Sequence, residues 1–232
     1  MKDRSIVLLS AGLDSTVNLA QAVEKTETKM ALTFDYGQRA TGKECALSEK
    51  IAYLYKVPHR VIRLPWLKEA SSALTNKANL IPEVKLNELD RQDKMALTAQ
   101  KVWVPNRNGI FVAIAAAFAE MLEANLIVAG FNAEEGRTFP DNSPEFVKSM
   151  NKVLDYSTLK PVRVISYTQN LGKKGVASLA VKLKIPFEYL WSCYDGRDAM
   201  CGRCESCQRL IRALDNIESL DLIKARMNFG AG

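Results

Sequence analysis

The sequence predicts an α/β domain with a parallel sheet, followed by a metal-binding segment near the C-terminus. Short apolar runs alternate with longer stretches of helical periodicity along most of the chain, and this alternation is typical of parallel sheets covered by helices. Four of the five cysteines lie close together after residue 190, and clustered thiolates are typical ligands of a structural metal ion.

Five short runs of apolar and β-branched residues predict the strands, at residues 5–10, 29–35, 59–64, 126–131 and 162–166. Helical stretches follow the first strand to about Glu24 and occupy residues 39–56, 108–123 and 144–157. Residues 108–123 are apolar on nearly all sides, which predicts a buried helix. The polar segment 68–102 breaks the alternation, and it is either a lid or interface or a poorly ordered loop.

Composition and charge exclude several classes of protein. The 47% hydrophobic and 25% charged content is that of a globular chain. The net charge of +6 suits an anionic ligand such as a nucleotide, but no basic block predicts a nucleic-acid-binding tail. The longest apolar run, residues 110–119, is too short to span a membrane, and the N-terminus lacks a signal peptide. We therefore expect a cytoplasmic protein.

The first predicted strand runs directly into a segment of small and hydroxyl-bearing residues, where a helix begins. The segment comprises Leu9, Ser10, Ala11, Gly12, Leu13, Asp14, Ser15 and Thr16. Small residues allow close approach of a ligand, and a helix N-terminus offers free N–H groups to an anion. We expect a phosphate or pyrophosphate site here, in which Asp14 caps the helix or holds Mg²⁺. The alternative is an ordinary strand–turn–helix with Asp14 as its N-cap.

The clustered cysteines predict a zinc site, with Cys193, Cys201, Cys204 and Cys207 as ligands. In a chain without an export signal, metal binding is favoured over disulfides, and an iron–sulfur cluster is the alternative. A closed site of four thiolates leaves no position for chemistry, so we expect it to fasten the C-terminal segment. We interpret the fifth cysteine, Cys45, as a buried and inert thiol.

The segment at residues 10–15 resembles the S-G-G-x-D-S signature of the PP-loop ATP pyrophosphatases, with Ala11 in place of the first glycine. Those enzymes cleave ATP between the α and β phosphates and transfer AMP to a substrate oxygen. Because alanine disfavours the left-handed region, we expect a negative φ at Ala11. Together with the cysteines, further segments make nearly the whole chain similar to the 7-cyano-7-deazaguanine synthase family (QueC), at residues 34–39, 104–108, 130–134, 139–146 and 191–207.

The resemblance implies that ATP activates the carboxylate of 7-carboxy-7-deazaguanine, that ammonia forms an amide, and that a second activation yields the nitrile. It also suggests a homodimer. We expect residues 1–190 to form the ATP-binding domain, with residues 191–232 as the zinc knuckle and a C-terminal helix packed on it. Besides residues 9–16, the predicted ATP-binding residues are Asp35 and Gln38. The predicted catalytic residues are Asp14, Arg107 and Lys173. The predicted substrate-binding residues are Tyr36, Arg107, Asn108, Asn132, Phe139 and Asp141.

Several positions depart from the family's usual sequence. Ala40 replaces a histidine, residues 142–143 are Asn-Ser in place of Cys-Arg, and the Ser and Glu of an S-K-x-E-I segment are missing around Lys173. These departures leave open a paralogue that stops at the amide or joins the acyl group to another amine, such as one on a protein partner. A nucleotide-binding module without catalysis is the third hypothesis. We interpret the single histidine, His59, as structural.

Overall fold

Five parallel strands form one sheet in the order β3-β2-β1-β4-β5. The computed structural model describes residues 2–215, 217 and 219–228, so the predicted segment 191–232 lies partly outside the described residues. The strands are β1 (Arg4–Leu8), β2 (Glu27–Asp35), β3 (His59–Arg63), β4 (Leu126–Val128) and β5 (Arg163–Ile165). The predicted α/β class and parallel sheet are confirmed, and the predicted ends of β1 and β4 instead belong to the loops that follow these strands.

The helices in the described part of the chain cover both faces of the sheet. They are α1 (Leu13–Lys25), α2 (Thr41–Leu54), α3 (Gln92–Val102), α4 (Arg107–Met121), α5 (Pro144–Ser157), α6 (Lys173–Lys182), α7 (Glu205–Ala213) and α8 (Ser219–Lys224). The start of α5 follows the local rules for a helix N-terminus, because Pro144 occupies the first turn and the Ser143 hydroxyl accepts from the Phe146 N–H.

The alternation of side chains along β1 divides the core into two layers. Ile6 packs on one face with Val112 of α4 and Leu154 of α5, whereas Val7 packs on the other with Val17 of α1 and the elements near the C-terminus. Because helices cover both faces, the central strands β1 and β4 are largely apolar on both sides, whereas the edge strand β3 has no buried residue. The prediction of a buried α4 holds for one of its faces, and its last residue, Met121, is 66% exposed.

The strand order reverses between β1 and β4, because the chain continues to opposite sides of the sheet from these two neighbours. In open α/β sheets, ligands bind at such a reversal, outside the carboxyl ends of the strands. Gly130, which follows β4, lies so close to the start of α1 that a Cβ there would be 2.8 Å from the backbone nitrogen of Ser15. The crevice at the strand reversal is therefore bordered by the segment predicted to bind phosphate.

The segment 68–102 contains α3 and is attached to the domain by backbone hydrogen bonds. The Arg39 N–H donates to the carbonyl of Leu74 over 2.8 Å, and the Val84 N–H donates to the carbonyl of Arg203 over 3.1 Å. The segment thus connects the loop after β2 with the cysteine-rich segment. That it acts as a lid or interface stays a prediction.

No single helix in the described residues is both long and apolar enough to cross a membrane, although α3 and α4, which are bent by 55° at their junction, pass that test as a pair by length and composition alone.

Outside the site, His59 shares a hydrogen bond of 2.8 Å with Thr33, which fits a structural role. Cys45 is only partly buried, contrary to expectation, but burial still raises the pKa of its thiol, which disfavours the reactive thiolate.

Candidate active site

A cavity of about 250 Å³ lies at the carboxyl ends of β1, β2 and β4. Its walls bring together most of the predicted ATP-binding residues and all of the predicted catalytic ones, namely Leu9, Ser10, Gly12, Leu13, Asp14, Ser15, Gln38, Arg107 and Lys173. Two further residues predicted to bind substrate, Tyr36 and Asn108, line it as well. Six predicted residues do not line it, namely Ala11, Thr16, Asp35, Asn132, Phe139 and Asp141. We call this space the first cavity.

The N-terminus of α1 faces the first cavity without a capping side chain from the described residues. Gly12 is the N-cap and makes no side-chain hydrogen bond, so the alternative in which Asp14 caps this helix is wrong. The Ser15 hydroxyl instead donates to the Gly12 carbonyl over 3.1 Å and accepts from the Ser10 N–H over 3.2 Å, which shapes the turn. Uncapped N–H groups at a positive helix end can bind a phosphate chain.

The expected negative φ at Ala11 is wrong. Ala11 has a φ of 56°, in the left-handed region, and its carbonyl accepts from the Trp191 N–H over 2.8 Å. The turn therefore keeps the backbone shape for which glycine is suited, and alanine adopts it at a cost of about 1–2 kcal/mol. The methyl group is fully buried in the core, and this burial offsets part of the cost.

A buried ion-pair cluster lies beside the helix N-terminus. The Lys173 ammonium contacts Asp14 and Glu135, each at 2.5 Å. Although burial alone would lower the pKa of Lys173, the two carboxylates raise it well above its ordinary value. Burial alone would raise the pKa of Glu135, but the positive charges of Lys173 and Arg209 outweigh burial and bring that pKa below its ordinary value. Lys173 thus stays protonated where phosphate or carboxylate oxygens would bind, while its two carboxylate partners offset its charge.

Asn132 lies behind this cluster and is fully buried. Its amide nitrogen donates to Asp14 over 3.1 Å, and its oxygen accepts from the backbone N–H groups of Glu134 and Glu135 over 3.0 and 2.9 Å. Asn132 therefore orients the two carboxylates that hold Lys173. This arrangement gives it a positioning role in place of the predicted contact with the substrate.

Gln38, Asp35 and Thr16 shape the backbone around the first cavity. The Gln38 amide donates to the Phe34 carbonyl and to Glu44, over 2.9 and 2.8 Å, and Asp35 accepts from the Gly37 N–H over 3.1 Å. Thr16 is fully buried, and its hydroxyl has no hydrogen-bond partner among the described residues. Of these, Gln38 alone lines the cavity.

Arg107 is the cation on the opposite wall. It donates to the Tyr36 hydroxyl over 3.2 Å, and the guanidinium lies 5.8 Å from the centre of that ring. Burial alone would lower the pKa of Arg107, but Tyr36 and Asp141 more than compensate, so it stays charged. Asn108 supports this wall through a hydrogen bond of 3.1 Å to the Asp141 carbonyl.

A smaller cavity of about 130 Å³ adjoins the first and lies beneath α7. Phe139 and Asp141, both predicted to bind substrate, line this second cavity and do not line the first. The two cavities share walls, among them Arg107 and Tyr194. Burial raises the pKa of Asp141, against the effect of Arg107.

The four clustered cysteines bring their sulfurs within 4.8 Å of one another, and all four side chains are buried and unbridged. Tetrahedral Zn²⁺ with Zn–S bonds of about 2.3 Å would place its sulfurs about 3.8 Å apart. Backbone N–H groups of Asp195 and Cys201 donate to the Cys193 sulfur, each over 3.3 Å. The donor set, the closure and these hydrogen bonds fit a structural zinc ion.

Helix α7 connects the cysteine cluster to the cavities through a buried charge network. Arg209 pairs with Glu205 at 2.7 Å and also contacts Glu134, and Arg212 contacts the same Glu134 oxygen. The other oxygen of Glu134 accepts from the Lys173 N–H over 3.2 Å. The helix anchored by the cysteines thus fixes the start of α6, on which Lys173 stands.

Sequence reasoning missed several residues of the two cavities. Glu135, Trp103, Glu205 and Arg209 were not predicted, although Glu205 lies inside the cysteine motif and Glu135 directly follows a segment shared with the family. Position beside a recognised motif was the available signal. Nothing in the local sequence indicates that Trp103, at the end of α3, faces the same cavity as Glu205.

Comparison with known proteins agrees with this geometry. The family model described as "Queuosine biosynthesis protein QueC" matches residues 4–218. A 7-cyano-7-deazaguanine synthase of Desulforamulus reducens is 52% identical, over 92% of this chain and 94% of that protein. Those of Bdellovibrio bacteriovorus and Methanosarcina barkeri are 49% and 42% identical, over 94% and 97% of this chain and 96% and 99% of those proteins. The chain therefore belongs to the QueC family.

Proposed function

We propose that the protein is an ATP-dependent ligase that converts 7-carboxy-7-deazaguanine and ammonia to 7-cyano-7-deazaguanine. One observation carries the proposal: the uncapped N-terminus of α1 and the buried Lys173 line the same cavity as Arg107. A site for a phosphate chain thus adjoins a second cation suited to a carboxylate. The names of relatives that share half of the sequence support the choice of substrate.

The chemistry begins with activation of a poor electrophile. A carboxylate oxygen attacks the α-phosphorus of ATP, pyrophosphate leaves, and an acyl-adenylate forms. Ammonia then attacks the acyl carbon, and AMP leaves with that oxygen to give the amide. In a second round the amide oxygen attacks the α-phosphorus of another ATP and pyrophosphate leaves. Loss of AMP and two protons from the adenylated amide then gives the nitrile. Most of the catalysis is then positioning and charge stabilisation.

The side chains of the first cavity supply those two effects. The N–H groups at the start of α1 and the hydroxyls of Ser10 and Ser15 would bind the departing pyrophosphate. Lys173, held charged by its two carboxylates, would stabilise the negative charge that develops at the α-phosphate. Arg107 would orient the substrate carboxylate for in-line attack.

Mg²⁺ and Zn²⁺ have separate roles in the proposal. Asp14 and Glu135 would hold Mg²⁺, whose charge shields the phosphates of ATP from an incoming anion. The four cysteines would hold Zn²⁺ with no open position. In that case zinc acts by fixing α7, and through Glu134 it positions the α6 helix that carries Lys173.

The two alternatives make different products. A paralogue that stops at the amide, or that uses an amine on a protein partner, is motivated by Ala40 and Asn142, which replace family residues and line the first cavity. A nucleotide-binding module without catalysis would bind ATP but would not convert it to AMP. The similarity to proteins named as synthases over nearly the full chain favours nitrile formation. A homodimer stays a prediction, as does a protein acceptor.

Mass spectrometry of one reaction separates these functions. The zinc-loaded protein is incubated with ATP, Mg²⁺, ammonium and 7-carboxy-7-deazaguanine. We expect AMP and a product whose mass corresponds to the nitrile. AMP with the amide alone would favour the paralogue, and no AMP would favour the binding module.

A further inference from the structure

The second cavity has the lining of a slot for a planar base. We propose that it binds the deazaguanine ring, with Trp103 and Phe139 stacked on its two faces and Glu205 accepting hydrogen bonds from its N1–H and 2-amino group. The inference rests on the proposed function and assigns the substrate's position within it. It places the recognition of the guanine-like edge on α7, and not on Asn132 or Asp141, which the sequence predicted as substrate-binding residues.

The two aromatic side chains are parallel and lie close to the spacing that a stacked base requires. Their rings are parallel to within 5°, with centroids 6.4 Å apart, and both line the second cavity. Stacked bases are about 3.4 Å apart in B-DNA, so a base between two rings separates them by roughly twice that distance. The two rings would therefore move apart by at least a few tenths of an ångström to admit the base. Rings in direct contact at this centroid distance would hardly overlap. Proteins commonly read an unpaired base by stacking it between such side chains.

Glu205 is the buried acceptor that this slot provides. The residue is 2% exposed, and Arg209 donates to its Oε1 through two nitrogens, over 2.9 and 2.7 Å. Its Oε2 is buried and has no hydrogen-bond partner among the described residues. A buried acceptor without a donor is costly, and the N1–H and 2-amino group of a guanine-like ring are adjacent donors that match a carboxylate.

Asp141 and Asn132 are less suited to this role. Asp141 accepts from the Asn142 amide over 3.2 Å, and Asn132 is fully buried behind Asp14 and does not line either cavity. With the guanine-like edge at Glu205, the carboxylate on the opposite ring of the substrate would point away from α7. Arg107, which lines both cavities, lies where that carboxylate would meet the phosphates.

The stacking part is tested by calorimetric titration of the zinc-loaded protein with 7-carboxy-7-deazaguanine. Stacking contributes about 1–3 kcal/mol per base, so Phe139→Leu should weaken binding roughly 5- to 150-fold. Phe146→Leu is the matched control, because that ring packs against Phe131 in the core and lines neither cavity. It should leave the dissociation constant within about twofold of the wild type. Equal affinity in wild type and Phe139→Leu would overturn the slot.

The edge contact is tested by discrimination against the same acid without its 2-amino group. A site built around a substrate N–H rejects an analogue that lacks it by as much as about 10⁴-fold. We expect a wild-type preference above about 100-fold, which Glu205→Gln reduces to below about tenfold. Glu134→Gln is the control, because Glu134 also contacts Arg209 but does not line the second cavity, and it should keep the preference. Zinc content is measured in each variant.

The outcomes separate this inference from the proposed function. A preference that survives in Glu205→Gln would overturn the edge contact while the protein still forms the nitrile. A wild-type protein that neither binds nor activates the acid would overturn the proposed function and the slot with it.

Discussion

Replacing Lys173 with methionine would leave two buried carboxylates without their cation. The side chains of Lys173 and Asp14 are 8% and 12% exposed, so solvent cannot substitute for the lost charge. Removing one partner of a buried pair costs about 3–5 kcal/mol. For a chain of this size, each kcal/mol corresponds to about 2–4 °C in melting temperature. We therefore expect Lys173→Met to melt roughly 6–20 °C below the wild type.

The deficit should depend on pH in a defined direction. In the wild type, Lys173 keeps the pKa of Glu135 below its ordinary value, so this group stabilises the fold above that value and the contribution is lost as pH falls. In Lys173→Met the pKa of Glu135 should rise, and that of Asp14, which burial already raises in the wild type, should rise further. A carboxyl with a raised folded pKa destabilises the fold as pH increases. The difference between variant and wild type should therefore be larger at pH 8 than at pH 5, by at least about 1 kcal/mol.

Thermal melts at both pH values, combined with AMP formation, measure these effects. Lys174→Met is the matched control, since Lys174 is the exposed neighbour on the same helix, and it should melt within about 2 °C of the wild type. AMP formation in Lys173→Met should fall about 10²–10³-fold, the loss typical of one stabilising group in a transition state. A Lys173→Met protein with wild-type stability at pH 8, or with equal deficits at both pH values, would refute the reasoning.

Substitutions at three further positions test the backbone and the cysteine site. Ala11→Gly should change stability by less than about 1 kcal/mol, because relief of the left-handed strain and loss of the buried methyl offset one another, whereas Ala11→Val should lose about 2–3 kcal/mol in chemical denaturation. Gly130→Ala should raise the KM for ATP about tenfold, because its Cβ would lie 2.8 Å from the Ser15 nitrogen; Gly42→Ala, which meets nothing within 4 Å, should leave that KM unchanged. Cys204→Ser should abolish stoichiometric zinc by elemental analysis and lower the melting temperature by at least roughly 5 °C, and full zinc retention would contradict the four-thiolate site.

Hydrophobic periodicity was sufficient for the frame of the fold. All five strands and the bounds of α5 follow from runs that must be apolar on buried faces. It was insufficient for α3, which is polar and largely exposed and buries only Thr98 and Val102, so that it carries no continuous apolar stripe. It was also insufficient for α7, where the cysteine spacing dominated the interpretation and concealed a helix whose buried face includes Arg209 and Leu210.

The site was predictable where one short segment supplies it and not where distant segments meet. The loop from Leu9 to Thr16 carries its own signature, because a strand end and a helix start are adjacent in sequence. The contact between Arg209 and Glu134 joins residues 75 positions apart, and no local pattern predicts it. The conformation of Ala11 was predicted wrongly because the propensity of one residue was weighed without the surrounding turn, which fixes it in place.

Transfer of ¹⁸O from labelled substrate to AMP tests the central claim most directly. The zinc-loaded protein would turn over 7-carboxy-7-deazaguanine carrying ¹⁸O in both carboxylate positions, with ATP, Mg²⁺ and ammonium in unlabelled water. If the carboxylate and then the amide oxygen attack the α-phosphorus, two AMP molecules form per nitrile and each carries one ¹⁸O. Unlabelled AMP, or label released to phosphate or water, would contradict adenylation of the carboxylate.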